Sequence, residues 1–331
     1  MRYWVIIFPL FLLISGCEKQ PAIKPKAVAG NKILVLNEGN FLWSNASFDL
    51  YDPQTNSLQE NVYKLANGKA LGDVLQSAFI IQGNIWLVLN NSGKVVVIDT
   101  QNFKEKFSIT GLRSPRYLCK SGGKVWVSDL YAGLLTVVDA STGKVLKKIS
   151  TGLWTEQLLN DGVGMAVACY DGWLRRYDTA TFGIIDSMRL KSGLQWLQRD
   201  KNGNVWALCT DSGRSDLYRI QPVTKMVETI SIAEGKTASR LCKSRGGDTL
   251  FCIAGGLVSI QVESKQLPEP IFTQSGANFY GLYCDPFSGA VYLSDALDYV
   301  SRSQVYRLDS RGNVYGQFKA GIITTGFLSY K

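Results

Sequence analysis

Between Ser114 and Thr151 the chain runs through four short apolar, β-prone segments, SPRYLCKSGG, KVWVSDLYAG, LLTVVDASTG and KVLKKIST. Three of them close on a glycine, and the last three carry no Pro or Gly inside the strand-forming run, which predicts a four-stranded antiparallel meander. Val125, Val127, Leu135, Val137, Leu146 and Ile149 are β-branched or aliphatic, so the predicted sheet has apolar side chains on both faces. A lone meander cannot bury two faces. Copies stacked face to face can.

The copies are present. The turn after the third strand recurs at Asp52, Asp99, Asp139, Asp178, Gln221, Gln261 and Asp309, each time an apolar residue followed by Asp or Gln, two further residues and a small or polar one. Seven such turns at a period near 40 residues, with four strands per period, predict an all-β, seven-bladed β-propeller of four-stranded antiparallel blades over residues 32–331. The second strands agree, placing an aromatic at one position: Trp86, Trp126, Trp206, Phe251 and Tyr292. The turn aspartates have a structural task, since a carboxylate accepts from backbone N–H groups two residues on. Ile33 to Asn37 begins the ring as a second strand rather than a first. The missing inner neighbour, TTGFLSY at 324–330, lies at the other end of the chain, so the C-terminal strand is expected to complete the N-terminal blade and remove the open edge.

Composition changes the picture at three points. The net charge of +9 is dispersed, without a long basic run, which argues against a nucleic-acid partner. There is no histidine, which excludes Ser-His-Asp and Cys-His catalysis and any imidazole-held metal or haem. The first sixteen residues, MRYWVIIFPLFLLISG, read as an export signal with a short apolar core, too short to span a bilayer comfortably. Ile14 to Cys17 resembles the lipobox of bacterial lipoproteins, which implies cleavage before Cys17, lipidation of its thiol and membrane anchoring. Residues 17–31 then form a Pro- and Lys-containing tether, able to hold the folded body up to about 45 Å from the lipid at roughly 3.3 Å per residue. The six remaining cysteines fall mostly within predicted strands, as small apolar filler; Cys242 and Cys252 flank one hairpin and are the pair best placed to bridge.

In a propeller the loops from second to third strand and from blade to blade gather on one face, where a ligand site is expected. The first kind of loop supplies Glu38, Asn40, Trp43, Asn90, Asn91, Tyr131, Tyr170, Asp298 and Tyr299. The second supplies Asp73, Gln76, Arg116, Trp154, Glu156, Gln157, Trp196, Asn278 and Tyr280. Trp86, Trp126 and Trp206 repeat at one strand position and are assigned to the core. Trp43, Trp154, Trp173 and Trp196 lie in or beside loops, where a wet indole is costly and ligand or partner contact competes with packing. Two S-x-x-K sequences, at 121–124 and 141–144, fall in turns of the opposite face and carry no chemistry. Asp161 to Met165 lacks the strand, third glycine and helix that phosphate binding needs. Paired carboxylates at the mouth, Glu38 with Asp73 or Asp129 with Glu156, leave carbohydrate chemistry open.

Several stretches resemble a known family in order: VLNEGN (35–40), LGDVLQS (71–77), NNSGK (90–94), SPRY (114–117), SDLYA (128–132), TEQ (155–157), DALDYV (295–300) and FKAGI (318–322). Together they resemble the YncE-like propeller lipoproteins that include the BtuG group. That resemblance implies a lipid-anchored, surface-exposed outer-membrane protein that catalyses nothing and uses no cofactor. It further implies capture of a corrinoid (cobalamin) on the loop face and delivery to a BtuB-like TonB-dependent transporter. Cobalamin is broad, flat and fringed with amides, so it suits a rim rich in Asn, Gln, Tyr, Trp and Arg. The alternative is an envelope scaffold whose same face docks another protein without a small ligand.

Overall fold

The computed structural model describes residues 30–330 together with Met1. The expected export signal, Cys17 and most of the tether lie outside the described residues. The described residues form seven antiparallel sheets arranged as the predicted seven-bladed propeller, with one short helix among them, Val62–Asn67, on the blade 1 to blade 2 connection. The ring closes as expected: Thr324–Tyr330 pairs antiparallel with Lys32–Asn37, setting Leu328 against Leu34 and Phe327 against Val35. Side chains fasten the seam. Thr324 Oγ1 donates to Asn37 Oδ1 at 2.8 Å, and Ser329 Oγ donates to Asp285 Oδ1 at 2.6 Å.

The repeating turns behave as the sequence requires. Asp52, Asp99, Asp139, Asp178 and Asp309 accept from the N–H two residues on at 2.8 to 3.0 Å, and the Gln221 side chain accepts from Val223 N in the same way. Gln261 departs, and with it blade 6, which has three strands instead of four. Pro268 and Pro270 follow the turn, and residues without an N–H cannot extend a ladder. The segment instead touches the edge at single points, Leu257 N to Phe272 O at 2.9 Å and Ile271 N to Leu257 O at 2.7 Å.

The core is divided into seven clusters, one in each interface between neighbouring blades. The second-strand aromatics are the wedges. Trp86 packs toward Val125 of blade 3, Trp126 toward Leu158 and Tyr177 of blade 4, and Trp206 toward Leu250 and Ile260 of blade 6. All three are fully buried. Burial of each such side chain contributes about 1.5–3 kcal/mol, so every interface resists opening and the ring is held as a unit. The expected Cys242–Cys252 bridge is not formed, and all six described cysteines are free thiols. Cys242 lies opposite Phe251 in the ladder, so Cys252 projects from the other face of the sheet; the two thiols belong to different interblade clusters.

Candidate functional site

Each inner strand departs from its partner's register near its upper end: between Leu75 and Ser77, Pro115 and Leu118, Thr155 and Leu158, Leu194 and Trp196, Ser239 and Cys242, and Phe279 and Leu282. The closing strand shifts likewise at Thr325. A β-bulge re-aims the residues it leaves unpaired, and here Gln76, Arg116, Glu156, Arg240, Tyr280 and Thr325 turn toward the central axis, joined in blade 5 by Trp196. Seven irregularities at one height thus build a polar floor across the mouth of the ring.

The floor is cross-linked. Arg116 Nε donates to Glu156 Oε2 at 2.9 Å, its Nη2 to Glu156 Oε1 at 3.4 Å, and its Nη1 to the Gln76 side-chain oxygen, tying blades 2, 3 and 4 together. Across the axis, Arg240 Nε donates to the Tyr280 carbonyl at 2.7 Å, and its guanidinium lies over the Trp196 and Tyr280 rings at 4.6 and 4.9 Å. Tyr280 Oη donates to both Glu38 carboxylate oxygens at 3.2 and 3.1 Å. Gln157 Oε1 accepts from Leu197 N at 2.6 Å. Burial raises the pKa of Glu38, with Arg240 opposing it, and burial raises that of Glu156, with Arg116 opposing it. Two carboxylates and two guanidiniums therefore share a largely dry layer.

Around the floor stands an aromatic fence. Six aromatic side chains are exposed among the described residues, and five of them, Phe41, Trp43, Tyr131, Trp154 and Tyr299, are on this face. Trp43 is 75% exposed and Trp154 52%. Trp154 is flanked by Tyr131, edge-on at 5.2 Å between centroids, and by Tyr170 at 6.1 Å. On the blade 7 side Tyr299 meets Tyr280 edge-on at 6.1 Å, and Asn40 Nδ2 donates to Tyr299 O at 3.0 Å.

The remaining expected site residues are placed as loop braces. Asp73 Oδ2 accepts from Leu42 N at 2.8 Å and from Asn91 Nδ2 at 2.5 Å, joining the loops of blades 1 and 2. Asn90 Nδ2 donates to Pro115 O at 3.0 Å. Asn278 donates to the Leu297 carbonyl, and Asp298 accepts from Val300 N and Ser301 N at 3.0 and 2.6 Å. Asp129 accepts from Arg113 N and Ser114 N at 2.8 and 2.7 Å. The carboxylate pairs considered for carbohydrate chemistry are thus not assembled as pairs: Glu38 faces Tyr280, Glu156 faces Arg116, and the two aspartates hold backbone. Thr325 was not singled out from sequence as a site residue. Gln76, Arg116, Glu156 and Trp196 recur at a spacing of about 40 residues with Arg240 next in the series, and that spacing is the signal that marks Arg240.

Comparison with known families gives one match that covers most of the propeller. Residues 31–294 match the model described as Domain of unknown function (DUF5074). The chain belongs to the DUF5074 family. A comparison with curated proteins gave no match. Among solved structures, this DUF5074 protein is similar to a quinonprotein alcohol dehydrogenase-like protein from Bacteroides thetaiotaomicron, with a TM-score of 0.71 at 16% identity over 90% of this chain and 77% of that one. It is also similar to a protein from Lactobacillus plantarum (TM-score 0.69, 12% identity, 91% and 99% covered) and to apo AztD from Citrobacter koseri (TM-score 0.63, 9% identity, 91% and 98% covered). At these identities the DUF5074 chain shares the propeller fold with them, and the likeness extends no further.

Proposed function

We propose that this DUF5074 propeller is a lipid-anchored outer-membrane receptor that captures a corrinoid on its upper face and passes it to a TonB-dependent transporter. The observation that carries the reading is the concentration of exposed aromatics, Trp43, Tyr131, Trp154 and Tyr299 among them, around a braced polar floor. A broad, flat, amide-fringed ligand rests on such a floor without entering the channel. The fence supplies apolar contact while Asn, Gln and Tyr groups meet the amides. Loops fixed by Asp73, Asp129 and Asp298 are already ordered, so binding avoids the cost of ordering them. The chain enters the ring on the lower face, where Asn31 Nδ2 donates to Asp285 Oδ2 at 3.1 Å. An anchor at Cys17 would therefore turn the fence away from the membrane, toward incoming ligand.

A second reading, a protein-docking scaffold, is favoured by one feature. Leu42 and Val300 are 72% and 65% exposed beside Trp43 and Tyr299, an apolar patch that suits a protein partner. Retention on a cobalamin resin separates the two. The capture reading predicts specific retention, competed by free cyanocobalamin. Failure to bind the resin, together with recovery of a membrane protein from solubilised envelopes without added ligand, would establish the scaffold instead.

A further inference from the structure

A second space lies beneath the floor. Below Gln76, Gln157 and Arg240 the channel widens into a cavity of about 390 Å³ that reaches the lower-face loops at Ser244, Arg245 and Pro286. This is within the roughly 300–1,000 Å³ of small-molecule sites. The walls are apolar, formed by Phe79, Leu282, Phe327, Leu328 and the buried thiols of Cys242 and Cys284. Along the lining the charge is one-sided, although Glu38 of the floor above also acts on Arg240. Arg240 stands at the inner end and Lys243 and Arg245 at the outer end, and no Asp or Glu among the described residues lines the space.

Arg240 is set up for an anion. Its backbone φ is +58°, a left-handed conformation that non-glycine residues adopt only at a cost in strain. The bulge that requires this conformation holds the guanidinium against Trp196 and Tyr280. Nε and Nη2 are occupied by the Tyr280 carbonyl and Thr325 Oγ1, while Nη1 has no protein acceptor among the described residues. From Arg240 to Lys243, where the strand ends, the chain advances about 10 Å at roughly 3.3 Å per residue, and Arg245 lies in the turn beyond.

We propose that this cavity binds an amphipathic organic anion, an elongated apolar body with one terminal carboxylate, independently of whatever the upper face captures. The carboxylate meets Arg240 through a charge-assisted hydrogen bond, and the body lies along the Phe and Leu walls. Lys243 and Arg245 at the entrance draw the anion in. A neutral molecule of the same shape offers Nη1 only an uncharged acceptor, which makes a weaker hydrogen bond. A polyphosphate finds too few donors on apolar walls.

The test uses the whole chain and an anilinonaphthalene sulfonate dye as fluorescent reporter, displaced by dodecanoate or by dodecanol. The expected result is displacement by dodecanoate at a concentration about tenfold or more below that of dodecanol. The exposed pair Lys243→Gln with Arg245→Gln should raise the dodecanoate requirement several-fold, most at low salt. Arg240→Gln risks the floor itself, so Gly326→Leu provides the second arm. A Cβ at Gly326 meets nothing nearer than Leu36 Cδ1 at 3.7 Å, and the added side chain fills the cavity while the thermal midpoint stays near that of the wild type. It should abolish displaceable dye. Absence of displaceable dye in the wild type, equal displacement by acid and alcohol, or undiminished binding in Gly326→Leu would each overturn the proposal.

Discussion

Phe327→Ala tests whether the ring depends on its C-terminal strand. Phe327 is 6% exposed, stacks against Tyr292 with ring centroids 5.5 Å apart, and packs with Ile33, Val35 and Tyr51 in the cluster that joins blade 7 to blade 1. Truncating a buried Phe to Ala costs about 3–5 kcal/mol, the sum of lost transfer energy and the cavity left behind. The neighbouring strand is held by backbone pairing from Lys32 to Asn37, so collapse is restricted and the upper half of that range is expected. At about 2.1 cal/mol/K of unfolding entropy per residue, 1 kcal/mol moves the midpoint of a ring of about 300 residues by about 1.6 °C, giving a drop of about 6–8 °C in scanning calorimetry. Trp43→Ala, at an exposed position, serves as control and should shift the midpoint by no more than about 2 °C. Deleting residues 324–331 should go further, exposing the Lys32–Asn37 edge and producing aggregation. A Phe327→Ala midpoint within about 2 °C of wild type would refute the claim that the seam holds the ring.

Three further outcomes follow from the floor and the core. Glu156→Gln leaves Arg116 in a largely dry layer with Gln76 as its remaining partner, and should destabilise by about 3 kcal/mol in urea unfolding. Arg116→Met with Glu156→Leu should recover most of that loss; equal destabilisation in single and double variants would show that the pair is not coupled. Glu38, whose pKa is raised by burial, contributes stability that is fully present below its unfolded pKa near 4.5 and lost as pH rises through its folded pKa. The midpoint of Glu38→Gln should therefore gain on wild type between pH 4 and pH 7, and a difference independent of pH would contradict the assignment. Burial pushes the Cys169, Cys209, Cys252 and Cys284 thiols up to about 12, so a thiol reagent at pH 8 should label no described cysteine faster than half-buried Cys119. Rapid labelling of several thiols in the native protein would show that the interblade clusters are open.

The ring was legible because its instructions are local and repeated. A turn Asp or Gln in every blade, and an aromatic at one place in five of the seven second strands, mark the repeat without long-range information. Closure was legible from a strand missing at one end and spare at the other. Blade 6 escaped because the turn pattern at Gln261 persists while Pro268 and Pro270, just beyond it, remove the donors a fourth strand requires. The mouth was legible as a set of residues but not as an arrangement. Sequence position puts Glu156, Asp73 and Trp154 alike near loops. Only the bulge decides that Glu156 turns to the axis and meets Arg116 from the preceding blade. Asp73 is claimed by Leu42 N, thirty-one residues back, a tertiary contact that no local pattern encodes. Cys242 and Cys252 illustrate the same limit: their separation permits a hairpin bridge, and the pleat sends their side chains to opposite faces.

Titration calorimetry with cyanocobalamin tests directly whether the aromatic fence is the place where a corrinoid is held. Wild-type protein is expected to give saturable, one-site heat. Trp154→Ala should weaken the affinity about tenfold or more while leaving the thermal midpoint unchanged, since Trp154 is half exposed and contributes little to the fold. The absence of heat, or heat indifferent to Trp154→Ala and Trp43→Ala alike, would contradict capture at this face.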